Sequence, residues 1–107
     1  FADIEIELMA LEYTELRVLA SDAAGKGPGV ESSLLKLKGT ELQQATQRLL
    51  LDCAGYYAGV EESDSSIGHA FADEARRSYM YGRAATIYGG SNEVQKNITA
   101  KFVLGLK

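Results

Sequence analysis

A single proline stands in these 107 residues, Pro28, and it alternates with Gly25, Gly27 and Gly29 in the run AAGKGPG (23–29). Proline locks φ and lacks the N–H that a helix interior needs, so a chain almost free of it can build long helices. The cluster reads as a stop and a turn. It cuts one long amphipathic segment from the next.

Before the turn, residues 1 to about 24 place Ile4, Leu8, Leu11, Val18 and Leu19 at helical spacings, with Asp3, Glu5, Glu7, Glu12, Glu15 and Arg17 between them. After it, ESSLLKLKGTELQQATQRLLLDCAGYY (31–57) predicts a second helix capped by Ser32 or Ser33. Leu35, Leu42, Leu49 and Tyr56 recur every seven residues there, and Ala45 and Cys53 fill the stripe. Gly39 interrupts it at a cost of about 1 kcal/mol relative to alanine, which marks either a close backbone approach or a tolerated weak point. The polar run AGVEESDSSIG (58–68) reads as a surface loop. A third helix is expected from His69 to Ala85, with Phe71, Ala75, Tyr79 and Arg83 at four-residue steps. The fourth should run from about Ser91 to Leu104, with Val94, Ile98 and Phe102 on one stripe and Lys96 and Lys101 off it. Ser91 suits an N-cap, and Glu93 suits the positive end of the helix dipole. Four amphipathic helices on short connections predict an all-α, antiparallel four-helix bundle forming one domain.

With 11 basic residues against 15 acidic ones the net charge is -4, and no Lys/Arg block traces a phosphate backbone. That argues against nucleic acid as a partner. No apolar run reaches membrane-spanning length and no secretion signal opens the chain, so neither a membrane nor export is expected. Cys53 is the only cysteine, which leaves a small buried thiol as its reading and a reducing cytoplasm as the expected location. The chain opens on Phe1 in the middle of a helical pattern, so a piece of a longer protein is expected.

The catalytic inventory is thin. His69 is the only histidine, which rules out a two-histidine metal pair and leaves a surface or capping role. Glu61 with Glu62, and Asp73 with Glu74, are sequence neighbours that suit solvated faces better than acid/base work. Arg76, Arg77 and Arg83 suit paired or solvated positions better than a phosphate site. A free-standing hydrolase or metal enzyme is therefore disfavoured. The segment TIYGGSNEVQKN (86–97) differs from the rest: Gly89 and Gly90 before a capped helix let backbone N–H groups approach a ligand, though a plain turn between helices also accepts them.

The stretch IYGGSNEVQKNITAKFVLGL (87–106) closely resembles the C-terminal end of acyl-CoA dehydrogenases, in which a Tyr-x-Gly-Thr/Ser segment opens the last helix. ELMALEYTELRVLA and SSLLKLKGTELQQ resemble the family's upstream helices of the same C-terminal helical domain. The resemblance covers essentially all 107 residues, and its last twenty are the most specific. It implies that the opening helices of the domain, the middle β-domain and the N-terminal helical domain are missing from this stretch. It also implies a flavoprotein of fatty-acid or related acyl-thioester breakdown, in which a carboxylate takes the α proton of an acyl-CoA and FAD takes hydride from the β carbon. Implied partners are the acyl-CoA, an electron-transfer flavoprotein, and further subunits in a homo- or hetero-oligomer, a dimer or tetramer.

Carried onto this chain, the resemblance implies FAD contacts at Ser91, Asn92 and Glu93. A second place, Asp52, Cys53, Ala54, Gly55 and Tyr56, matches a usually glycine-rich segment that meets the FAD of a neighbouring subunit, though only Gly55 keeps that character. Tyr88, Gly89 and Gly90 match the wall of the thioester pocket. In many members the residue after the Tyr is the glutamate that abstracts the proton, and here the match falls on Gly89. Glycine cannot take a proton, so no catalytic residue is expected within the chain. The base lies either on an earlier helix or on the partner of a mixed oligomer. Glu93 is a poor substitute, because dipole and flavin contact account for it better. A non-catalytic helical association module, or a non-catalytic subunit, is the alternative reading.

Overall fold

The computed structural model describes residues 1–27, 29–60 and 70–106. Four α-helices carry it: α1 (Ala2–Ala23), α2 (Glu31–Ala54), α3 (Ala70–Tyr81) and α4 (Asn92–Leu104). Two 3-10 turns, Gly55–Gly59 and Gly82–Thr86, continue α2 and α3, and no strand occurs among the described residues. The all-α four-helix expectation holds. Helix boundaries shift: α2 starts at Glu31 without a side-chain cap, and the Ser32 hydroxyl donates back to the Gly29 carbonyl at 2.9 Å. Its end comes at Ala54, and the third helix tightens to 3-10 from Gly82, where i to i+3 bonds replace the α pattern.

Helix α2 is the hub. Ile4 shares a hollow with Leu42 and Ala45, Leu11 with Leu34 and Leu35, and Val18 with Glu31 and Leu34. As one number rises the other falls, so α1 runs antiparallel to α2. The same logic orders α3: Gln47 meets Ser78 while Gln44 meets Gly82. Helix α4 also rests on α2, through Asn92 against Lys36 and Thr40.

Burial does not follow the leucine stripe. Leu35, Leu42 and Leu49 are half-buried, Ala45 and Cys53 are exposed, and Tyr56 is fully exposed. The small buried thiol expected at Cys53 is thus corrected: the residue is exposed, eight positions past Ala45, where the hollow shared with the start of α1 ends. The buried positions of α2 are Ser33, Leu37 and Ala54, on the face toward α3 and α4. From the other side come Ala72, Ala75, Gly82 and Ala85. Small residues let the two backbones approach. A Cβ on Gly82 would stand 1.8 Å from Gln47 Oε1. Phe71, placed on the same stripe by its spacing, is exposed instead.

Helix α1 buries nothing fully. Ile4, Leu11 and Val18 lean on α2, but Leu8 and Leu19 are exposed. A second apolar row, Ala2, Ile6, Met9, Tyr13, Leu16 and Ala20, runs along the opposite side at alternating steps of four and three, the spacing of a coiled-coil seam. All six are exposed. The molecule is accordingly long, 56 × 27 × 21 Å, with a radius of gyration of 17.7 Å where a compact chain of this size has about 13 Å. Its accessible surface, 7880 Å², exceeds the roughly 5,800 Å² of a compact monomer of this mass.

Candidate functional site

The segment 82–93 is built locally before it meets anything else. The 3-10 turn ends with Ile87 N–H and Tyr88 N–H both donating to the Ala84 carbonyl, at 2.9 and 3.1 Å. Gly89 and Gly90 then carry φ of 67° and 91°, the left-handed region in which a side chain is strained. They reverse the chain into α4. The expected N-cap holds: Ser91 is extended, and its Oγ accepts from Val94 N–H at 3.4 Å. The Gln95 side chain lies across Gly90, so that a Cβ there would stand 2.6 Å from its Nε2. Beside Gly89 the space is open, with nothing within 4 Å of where a Cβ would be.

The three residues expected to meet the flavin divide. Asn92 is buried, 7% exposed, and its side chain turns onto α2. There its Oδ1 accepts from Lys36 Nζ at 2.7 Å and its Nδ2 donates to Thr40 Oγ1 at 3.2 Å. Glu93 is exposed and Ser91 half-buried, on the opposite side of the turn. The Glu93 carboxyl is held below the usual carboxylate range, first by its own backbone N–H and then by Ser91, with smaller electrostatic pulls from Lys96 and then Lys36. A carboxylate so stabilised is a weaker base, which supports its exclusion as the proton acceptor. Tyr88 is exposed with Gly89 and Gly90.

The second place lies elsewhere. Asp52 is engaged by Arg48 at 2.9 Å, Ala54 is buried, and Cys53, Gly55 and Tyr56 are exposed at the far end of α2. With 1.5 Å of rise per residue, that end stands on the order of 25 Å from Lys36 and the start of α4. The two places therefore do not form one site.

Arg76 and Arg77 both pair with Asp73, Arg77 at 2.6 Å, and Arg76 also donates to the Val60 carbonyl. Asp73 is thus a structural anion holding α3's arginines, not a merely solvated one. Arg83 lies 4.3 Å over the Tyr79 ring and donates to the Tyr79 carbonyl at 3.1 Å. His69, Glu61 and Glu62 lie outside the described residues. Among the described residues no three His, Cys, Asp or Glu side chains gather as metal ligands, and no helix is long and apolar enough to cross a membrane. Thr40 carried no signal in the sequence. For Lys36 the signal was the resemblance of SSLLKLKGTELQQ to a family stretch in which a lysine follows serine and small apolar residues, which gave no partner for it.

An all-helical domain whose last helix opens on a Tyr-Gly-Gly-Ser turn defines a class, and the comparisons give it a family. The sequence matches the family model described as "Acyl-CoA dehydrogenase, C-terminal domain" over residues 1–104. Acyl-CoA dehydrogenase IpdE1 of Mycobacterium tuberculosis is 37% identical over 106 residues, covering 94% of this chain and 26% of that protein. Acyl-CoA dehydrogenase IpdE1 of Mycolicibacterium smegmatis is 65% identical over 34 residues, 32% of this chain and 9% of that protein. No solved structure matches with significance. The chain belongs to the acyl-CoA dehydrogenase family, as its C-terminal helical domain, and it spans about a quarter of the length of the first of these relatives.

Proposed function

We propose that these residues serve an FAD-dependent acyl-CoA dehydrogenase, as the later helices of its C-terminal domain. The upstream helices, β-domain and N-terminal domain would lie elsewhere in the protein. The observation that carries this is the turn at 88–93, where an exposed Glu93 and a half-buried Ser91 follow two left-handed glycines while Asn92 anchors the turn from within. Polar groups on an exposed helix start, beside open backbone, fit a flavin. FAD, when bound, supplies the acceptor for hydride from the β carbon of the acyl-CoA. Ser91 would offer its hydroxyl and Glu93 an acceptor oxygen to that cofactor, and both hold it in place without exchanging protons with substrate. Tyr88 would border the thioester, and Gly89 leaves room beside it.

Position 89 contributes no base, so the α proton goes to a carboxylate outside this chain, on an earlier helix or on a partner subunit. Electrons would pass onward to an electron-transfer flavoprotein, and the cytoplasm is the fitting location. The residues 52–56 would serve a different flavin from 91–93, given their separation. Association with further copies or with a related subunit, as dimer or tetramer, is a second role favoured by the outward apolar row of α1.

The test is spectroscopic. The intact protein is expected to show the visible bands of oxidised flavin and to bleach on addition of a saturated acyl-CoA. Residues 1–107 alone are expected to bind FAD weakly and to oxidise nothing. An intact protein that takes up no flavin, and reacts with no acyl-CoA, overturns the reading.

A further inference from the structure

We infer that Lys36 is a positioning residue for the start of α4, acting through Asn92 to fix where Ser91 and Glu93 point; this rests on the flavin reading above. The geometry leads there in three steps. Asn92 is the first residue of α4 and is buried, so its amide must be satisfied from within the protein. Both ends are: the oxygen by the Lys36 ammonium at 2.7 Å, the nitrogen by Thr40, whose single hydroxyl hydrogen is shared between the carbonyls of Lys36 and Leu37, each at 3.0 Å. The amide is thereby fixed in one orientation, and with it the rotation of the turn about the helix axis.

The second step concerns charge. A cation near a helix N-terminus faces the positive end of the dipole, so helix electrostatics oppose Lys36 at this place. The specific charge-assisted bond to Asn92 holds it there against that field. The third step is the neighbours. With residue 92 directed inward, 91 and 93 project to either side of it at the helix start, Glu93 exposed and Ser91 half-buried with its Oγ accepting from Val94 N–H. Lys36 touches no cofactor in this arrangement. It sets where the touching groups point.

The experiment uses the intact enzyme and FAD itself. Bound FAD is followed by flavin fluorescence quenching and by the visible spectrum, and folding is followed separately by the thermal midpoint of the flavin-free protein. Lys36→Met is expected to raise the FAD Kd about tenfold, as loss of a bond to a charged group allows. Lys36→Arg, which keeps a cation able to donate to Oδ1, is expected to stay within about threefold of the native protein. Asn92→Asp keeps the Lys36 contact and is expected to behave like Lys36→Arg, while Asn92→Leu is expected to behave like Lys36→Met. If Lys36→Met fails to fold, the Asn92 pair carries the comparison. Native-like FAD binding by Lys36→Met, or equal weakening in the conservative and disruptive variants, overturns the assignment while leaving the functional reading intact. A native protein that takes up no flavin overturns both.

Discussion

The two sides of α2 are held in opposite ways. Toward α3 and α4 it presents Ser33, Lys36, Thr40, Gln44 and Gln47, and that side is closed. Toward α1 it presents Leu34, Leu35, Leu42 and Ala45, and that side is open: α1 has no buried residue and two hollows of ≈ 240 Å³ flank the seam. Apolar character alone therefore does not decide which interface is tight. The polar side closes because its opposing surface is Ala72, Ala75, Gly82 and Ala85, small enough for side-chain amides to reach backbone and hydroxyl partners across it. The apolar side stays open because α1 divides its hydrophobic residues between two faces and can bury only one of them on α2.

The sharpest way to break this contrast is at Ala75, which has no exposure at all. Ala75→Leu is expected to cost about 2–3 kcal/mol by overpacking, read from the loss of helicity on heating or in urea. By contrast Leu16→Ala, on the outer row of α1, should cost under about 0.5 kcal/mol in the same chain. A large loss at Leu16 would mean that the row is covered. Next comes Gly89→Glu, which puts the family's usual carboxylate into a backbone with φ of 67°. The expected cost is about 1–2 kcal/mol, and no gain should follow in any acyl-CoA oxidation by the intact protein. A gain would show that the loop can relax around a base. Gly39→Ala tests the open side: a new Cβ there meets only Leu11 Cδ2 at 3.9 Å, ordinary contact, so stabilisation of about 0.5–1 kcal/mol is expected in denaturant titration.

The smallest effect is a pH dependence at the start of α4. The folded pKa of Glu93 lies below its unfolded value, near 4.3, so its contribution is present above that value and is lost as pH falls through the lower folded one. Glu93→Gln should flatten the acid side of a thermal-midpoint profile and leave neutral pH nearly unchanged. An unaltered acid limb would show that the carboxylate is not engaged by its own N–H and by Ser91.

Legibility in the sequence followed the range of the interactions. Capping is local chemistry, so Ser91 and the start of α4 could be read from a few residues, and the glycines between α1 and α2 likewise marked a boundary. Which face of a helix is covered is not local. The seven-residue repeat of α2 marked a stripe whose leucines are only half-buried and whose Ala45, Cys53 and Tyr56 are exposed, while the closed face is set by alanines and a glycine of a later helix and turn. Such residues leave almost no hydrophobic signal. The turn at 88–91 was legible as a glycine turn into a capped helix, whereas the inward direction of Asn92 needs Lys36, 56 positions earlier, to become visible.

That separation has a kinetic consequence. The α1–α2 pair joins across a short turn, while α4 must find α2 after closing a long stretch of chain, an entropic cost that grows with its length. Docking of α4 is therefore expected late in assembly. Amide hydrogens at the start of α4 should exchange ahead of those in α2. Any molecule that binds the 88–93 turn would slow them first, which makes exchange at this one turn a direct gauge of occupancy.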